Sequence, residues 1–411
     1  MPQTLLGSLA LAYQPLWGKS RELSGIRLAV SPVPDGIVDA PHLLQVLRNF
    51  WPHRNAALIV SPETPELLGT LLEHAPAYSP CIEVGNECLE DPAIALLVRR
   101  AHARGLQMIW RGPNNWDPAP DLAPCFRQYL LSMDPQDTVD ALHAMRSREG
   151  YASFDDEPGQ SPVRPGQIYE DVPSRALVDH CLDQRKVAAI LGWPSDEVLQ
   201  VYRYAALQPS ARSLRLVVNA VCADASLETI EHLIGEDAVL AYRLLTHVNS
   251  AAMGLRSGID SLRRALMMMG YTALKDWCIQ QSPHANDDDD VTPVRNALVI
   301  RANLAGYLLD AGGEYDMRGE IHLCGLFSQL DLLLGDTLPE ALGRIPVSDR
   351  IIEAVCAGEG PYAPYLAIAK AMESTRADHL AELCHGFDMN LDDVNRALLR
   401  TLGITSVRTG G

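Results

Sequence analysis

Between His322 and Gly335, the segment HLCGLFSQLDLLLG sets a histidine, a cysteine, a serine, a glutamine and an aspartate into an apolar stretch. Side chains of these types ligate metals or move protons when their spacing lets them converge. His322 and Cys324 are two residues apart, and on a helix such residues do not face each other, so they make no ligand pair. Asp331 reads as an acid on a helix face and Asp336 as a loop residue. Ser328 and Gln329 follow the apolar step Cys324-Gly325-Leu326-Phe327, and neither has the metal affinity of imidazole or carboxylate. No His-Asp step occurs anywhere in the chain. Two-metal hydrolysis needs clustered His and carboxylate ligands, so no metal is expected here.

Other reactive types carry blander expectations. The nine cysteines form no CxxC pair and are odd in number. That fits neither structural zinc nor a disulfide scaffold, and predicts reduced, mostly buried thiols. The acidic run Asp287–Asp290 lacks the spaced ligands and bidentate Glu of a calcium loop, and reads as solvated. Met267, Met268 and Met269 are consecutive and cannot share one helix face. They predict core packing with one methionine exposed. His247, on a largely apolar helix, reads as a core or hydrogen-bonded histidine. No glycine-rich phosphate loop, nucleophile elbow or zinc-protease helix is visible, so no cofactor is expected.

The chain's 411 residues are enough for two or three domains. Its 47% apolar and 21% charged residues are those of a globular protein. A net charge of −18 argues against coating nucleic acid, which needs a basic face. No apolar run reaches the ~18–20 residues that span a bilayer. The opening MPQTLLGSLALAY lacks the basic start and cleavage site of a signal peptide. A cytoplasmic protein without membrane insertion is expected.

The elements that would position these residues fall into two halves. Short apolar runs at 26–32, 56–62, 81–86, 106–112 and 128–134 alternate with helical stretches at 41–50, 65–75, 91–105 and 137–148. This alternation specifies parallel βαβ units, compatible with a doubly wound sheet or a (β/α) barrel. Residues 152–167, rich in Pro, Gly and acid, read as a loop. From about 175 onward only helical spacing is read, in segments such as SRALVDHCLDQRKVAAILG and DAVLAYRLLTHVNSAAMG. The expected organisation is an α/β domain over 1–195 and an all-α domain over 196–411.

Within the helical half, residues 235–277 resemble the HDOD family. Its pattern D-P-x-L, L-L-x-x-x-N-S-A, I-x-S-I-x-x-A-L-x-x-L-G is met by Asp237, Leu240, Leu244-Leu245, Asn249-Ser250-Ala251, Ile259, Ser261, Ala265-Leu266 and Gly270. The resemblance implies an all-α relative of the HD phosphohydrolases that has lost its metal ligands. The His-Asp dyad of those enzymes falls on Ser328-Gln329. Asn249 and Ser250 are expected to cap a turn, and Gly270 to end a helix in a left-handed conformation.

The first half resembles the EAL family of cyclic di-GMP phosphodiesterases, which are (β/α) barrels. Tyr13-Gln14-Pro15-Leu16 and Gly25 fit its opening, but the Glu-Ala-Leu signature falls on Arg27-Leu28-Ala29. Further strand ends fall on Ser61-Pro62, on Ile82-Glu83-Val84-Gly85, near Trp110-Arg111-Gly112, and on Asp134. Of the family's metal-binding carboxylates, Glu83 and Asp134 remain. The combined reading is a degenerate EAL-like barrel followed by an HDOD domain, without catalytic or metal residues. It implies a bacterial signalling protein that acts by protein–protein contact, with no nucleic-acid partner. The turn at Arg256–Asp260 and the segment near Ser328 are candidate contact points. The alternative is a nucleotide sensor holding a cyclic di-GMP-like ligand through Arg27, Glu83 or Arg111. The favoured expectation for Arg27 is pairing with a local acid such as Glu83. Residual metal-dependent phosphodiesterase activity is the remaining reading.

Overall fold

The computed structural model describes residues 4–34, 38–51, 56–148, 160–204, 206–253, 258–309, 315–377 and 379–408. Its α/β half resolves as a closed barrel of eight strands in sequence order, not a doubly wound sheet. The strands are β1 (Leu9–Trp17), β2 (Leu23–Pro32), β3 (Ala57–Pro62), β4 (Cys81–Gly85), β5 (Met108–Pro113), β6 (Gln128–Ser132), β7 (Ile168–Glu170) and β8 (Ala189–Leu191). β1 is antiparallel to both neighbours, β2 and β8, whereas β2 through β8 are mutually parallel. The intervening helices are α1 (Ala40–Phe50), α2 (Pro65–His74), α3 (Pro92–Ala103), α4 (Pro135–Arg148) and α5 (Arg175–Asp179). Asp39, Thr64 and Asp91 cap the first three, each with a proline in the first turn.

Successive side chains of a strand alternate between the barrel's inside and outside. Leu16, Ile59, Ile109, Leu130 and Ile168 form one buried apolar cluster with Ala189 and Leu191. Two residues further along three of these strands stand Ser61, Arg111 and Glu170. The same inward register therefore runs from an apolar floor to a polar mouth at the strands' C-terminal ends, where barrels of this kind carry their sites.

Three strands escape the periodicity reading: β1, which is not among the five apolar runs, and the short β7 and β8. β8 lies inside the stretch read as helical, and β7 follows the 152–167 loop, half of which lies outside the described residues. Each has only three residues, too few to display a period of two. Barrel closure holds them in place.

A second compact unit spans Ser195–Lys370, while residues 371–411 cluster with the barrel. The helical half expected over 196–411 is thus divided. The second unit holds α6 (Ser195–Gln200), α7 (Ala211–Cys222), α8 (Leu227–Ile234), α9 (Ala238–Val248), α10 (Leu262–Gln281), α11 (Thr292–Leu308), α12 (Tyr315–Phe327), α13 (Leu330–Leu334), α14 (Leu338–Leu342) and α15 (Asp349–Ile352). α16 (Ala363–Met372) ends it, and α17 (Leu380–Gly386) and α18 (Leu391–Arg408) follow. The buried Asn395 of α18 donates to the carbonyls of Leu6 and Leu9, both at 2.7 Å. The side-chain amide thus ties α18 to the chain at the start of β1. Among the described residues, no helix is long and apolar enough to cross a membrane.

Candidate functional site

The barrel mouth is built around Arg27 on β2 and Glu83 on β4. Their side chains are 4% and 5% exposed. Arg27 Nε donates to Glu83 Oε2 at 2.6 Å and Nη2 to Oε1 at 2.8 Å, a two-point pair. Ser61 on β3 accepts from Arg27 Nη2 at 2.7 Å and donates to Glu83 Oε1 at 2.9 Å. The remaining nitrogen, Nη1, donates to Gln14 Oε1 and to the Thr375 carbonyl, each at 3.1 Å. Every nitrogen of this guanidinium is used, as a buried charge requires.

Arg111 on β5 extends the network. It pairs with the buried Glu170 of β7 at 3.0 Å and stands 3.8 Å from Glu83. Burial opposes its charge, but Glu170 and Glu83 outweigh it and raise the guanidinium pKa above its ordinary value. The segment after α16 reaches the same mouth: besides the Thr375 carbonyl, the Ala377 amide donates to Glu63 Oε1 at 2.8 Å. Asp134 does another job. It caps α4, accepting from the Asp137 amide at 2.7 Å.

These residues do not fit a two-metal centre. A guanidinium stands among the carboxylates, and Glu83 and Glu170 are both neutralised by arginines. Among the described residues, no group of three or more His, Cys, Asp or Glu side chains is arranged to hold a metal ion.

In the helical unit, α12 ends at Phe327, immediately before Ser328 and Gln329. Ser328 is buried. Its hydroxyl donates to the Gly325 carbonyl and accepts from Arg301 of α11, both at 2.7 Å. Gln329 precedes α13 without a side-chain capping bond. Gly325 explains why α11 and α12 can be so close: a Cβ there would lie 2.5 Å from the Ala302 Cα. His322 is part-buried, its Nε2 3.2 Å from the Gly235 carbonyl. Loss of hydration pushes its pKa below the ordinary value, and His232 pushes the same way. Cys324 faces the core, where burial raises its thiol to about 12. His322 and Cys324 therefore form no ligand pair.

The signature residues have structural employment. Asp237 is fully buried and accepts from the amides of Val239, Leu240 and Ser210. It also pairs with Arg295 at 2.7 Å, so one carboxylate ties α7, α9 and α11. Asn249 ends α9, exchanging two hydrogen bonds with the Ile259 backbone and donating a third to the Leu245 carbonyl. Ser250 follows it, part-buried, and Ala251 is exposed. Ser261 caps α10 through the Arg264 amide. Gly270 kinks α10 at φ 69°, ψ 166°, where the helix changes direction and continues to Gln281. Of the candidate contact turn, Arg256 lies outside the described residues, and Asp260 pairs with Arg264 at 2.9 Å.

Three local expectations change. Met267 and Met268 are both exposed and Met269 is part-buried, because Ala265 and Leu266 face the core and the next turn rotates outward. The acidic run is only half solvated: Asp290 is buried, and Asp288 accepts from the Tyr202 hydroxyl at 2.8 Å. His247 is part-buried and stacks on Trp277 with ring centroids 5.6 Å apart. The nine thiols remain free and five are buried.

Sequence reasoning reached Arg27, Glu83 and Arg111 but missed Ser61 as a partner, Glu170, Arg295 and Arg301. For Glu170 a signal existed, a lone acid ending the apolar step Ile168-Tyr169. The two helix arginines carry no local mark, since their partners lie far along the chain.

Residues 208–345 match the family described as HDOD domain. An uncharacterized protein of Bacillus subtilis, YuxH, is 25% identical over 170 residues, 40% of this chain and 40% of that protein. The cyclic di-GMP phosphodiesterase CdgJ of Vibrio cholerae is 24% identical over 170 residues, 41% of this chain and 39% of that one. The matches thus span about two fifths of these curated relatives. Among solved structures, the MmoQ response regulator of Methylococcus capsulatus aligns at TM-score 0.39 and 18% identity, over 48% of this chain and 99% of that one. The YkuI protein of Bacillus subtilis, with an EAL domain and bound c-di-GMP and calcium, aligns at TM-score 0.28 and 9% identity, over 45% and 53%.

Proposed function

We propose that the chain is a non-catalytic regulatory protein of cyclic di-GMP-related bacterial signalling, acting through contacts of its HDOD domain with a protein partner. The observation that carries the non-catalytic part is the Arg27–Glu83–Ser61 arrangement. A fixed cation stands where the resemblance places a metal-binding acid, and it consumes the carboxylate that would hold the ion. Phosphodiester hydrolysis by the two-metal route needs that carboxylate free to ligate an ion. The test is incubation of the purified protein with cyclic di-GMP and magnesium or manganese, followed by chromatography of the nucleotides. Turnover above the buffer control overturns the reading. The partner is sought by co-purification from the native cell, with the chain lacking residues 195–370 as the comparison.

A second reading, a nucleotide sensor without hydrolysis, has one observation in its favour: the Arg111 side chain is 36% exposed, against 4% for Arg27. Against it, both arginines are already neutralised by glutamates. Titration calorimetry with cyclic di-GMP decides, and absence of heat at high micromolar concentration removes the sensor.

A further inference from the structure

We propose that the helical unit carries a binding site for a small phosphate-bearing molecule, centred on Arg243. A cavity of about 370 Å³ opens beside α9 and α10, with Arg243, His247, Trp277, Gln281, Asp336 and Arg344 in its lining. That volume suits a small ligand. Arg243 is part-buried. Among the described residues it has one hydrogen-bond partner, Gln281 Oε1 at 3.3 Å, and no carboxylate at ion-pair distance. The acids nearby are spent elsewhere. Asp237 is held by Arg295 at 2.7 Å, and Asp336 by Arg344 at 2.6 Å. The cavity therefore keeps a guanidinium without an ion-pair partner among the described residues, in a chain of net charge −18.

Partial burial disfavours the Arg243 charge and holds its pKa below the ordinary value, with Asp237 only partly offsetting this, whereas Arg27, Arg111 and Arg295 each have a carboxylate at ion-pair distance. An oxyanion in the cavity supplies such a partner to Arg243. Donors approach from three directions: Arg243 on α9, the side-chain amide of Gln281 on α10, and Arg344 after α14. The three terminal oxygens of a phosphate can accept from all of them, whereas a planar carboxylate presents two oxygens in one fork. The ring pair of His247 and Trp277 forms an aromatic wall beside the charge, which suits a ligand with an organic body.

The experiment is calorimetric titration of the full chain with phenyl phosphate, inorganic phosphate and benzoate, each to about 10 mM, which reaches millimolar dissociation constants. Phenyl phosphate is expected to bind the native chain. Arg243→Gln should weaken that binding by about tenfold or more, and Gln281→Leu by a few-fold. Arg264→Gln, on an exposed face away from the cavity, should leave it unchanged. Circular dichroism checks that each variant is folded, and Gln281→Leu serves as the probe if Arg243→Gln is not. The proposal falls if phenyl phosphate fails to bind, if the two cavity variants bind it as tightly as the native chain, or if benzoate binds as tightly as phenyl phosphate.

Discussion

Arg27 and Glu83, 56 residues apart in the chain, meet across the barrel mouth through two short hydrogen bonds, at 2.6 and 2.8 Å. A dry interior makes their attraction large, but desolvating both ions costs nearly as much. Removing one partner alone leaves the other charge buried and unmatched. Arg27→Ala or Glu83→Ala should each lower stability by about 3–5 kcal/mol, while Arg27→Met with Glu83→Leu should recover most of the loss. Urea melts of the four proteins give the coupling directly, and a purely additive double variant would contradict the pairing.

Arg27→Glu replaces the cation by a third carboxylate beside Glu83 and near Glu170. Like charges at this distance repel strongly in a buried site, so the variant should melt at a lower temperature than the native chain. Divalent manganese should raise its melting temperature and leave the native protein unchanged. Equal manganese responses in both would show that the carboxylates do not converge.

Asp237 caps α9 and neutralises Arg295 with the same carboxylate. Asp237→Asn keeps one oxygen to accept from the Val239 and Leu240 amides and removes the charge, whereas Asp237→Ala removes both. Alanine should therefore cost more than asparagine, about 3–5 kcal/mol for the broken buried pair plus about 1 kcal/mol for the cap. Chemical denaturation of both variants measures the difference.

Two glycines of α12 should respond in opposite directions. At Gly325 a Cβ meets the Ala302 backbone at 2.5 Å, whereas at Gly319 nothing lies within 4 Å. Gly325→Ala should destabilise by about 1–3 kcal/mol through forced separation of the helices. Gly319→Ala should stabilise by about 0.5–1 kcal/mol through the lost chain entropy of glycine. Thermal melts that move the same way would refute this account of the α11–α12 contact.

His322 has its pKa depressed by burial against α8 and by His232. A depressed value means the unfolded chain takes up the proton first. Its contribution is full above the ordinary value of 6.5 and is lost as pH falls from there through the folded-state value. His322→Gln keeps a donor for the Gly235 carbonyl but does not titrate. The difference in stability between native and variant protein should shift in favour of the variant between pH 7 and about pH 5. A constant difference across that range would show that His322 does not titrate with unfolding.

The sequence by itself determined what local periodicity can carry. Short apolar runs alternating with helices, then helical spacing alone, marked the two halves. Asp237, Asn249 and Ser261 marked helix ends, because capping is decided within a few residues; Gly270, expected to end a helix in a left-handed conformation, instead kinks α10 at φ 69°, ψ 166°. That Arg27, Ser328 and Gln329 are not metal-ligand types was legible from their chemistry. Tertiary structure alone decided what these residues do. The Arg27–Glu83 pair, Glu170 beside Arg111, and Arg301 on Ser328 all join distant positions, and no neighbour in the chain announces them. Barrel closure made strands of two three-residue segments, and α18 returned to β1 through Asn395. The reason is common to all: periodicity says which face of an element is apolar, but only packing says which element that face meets.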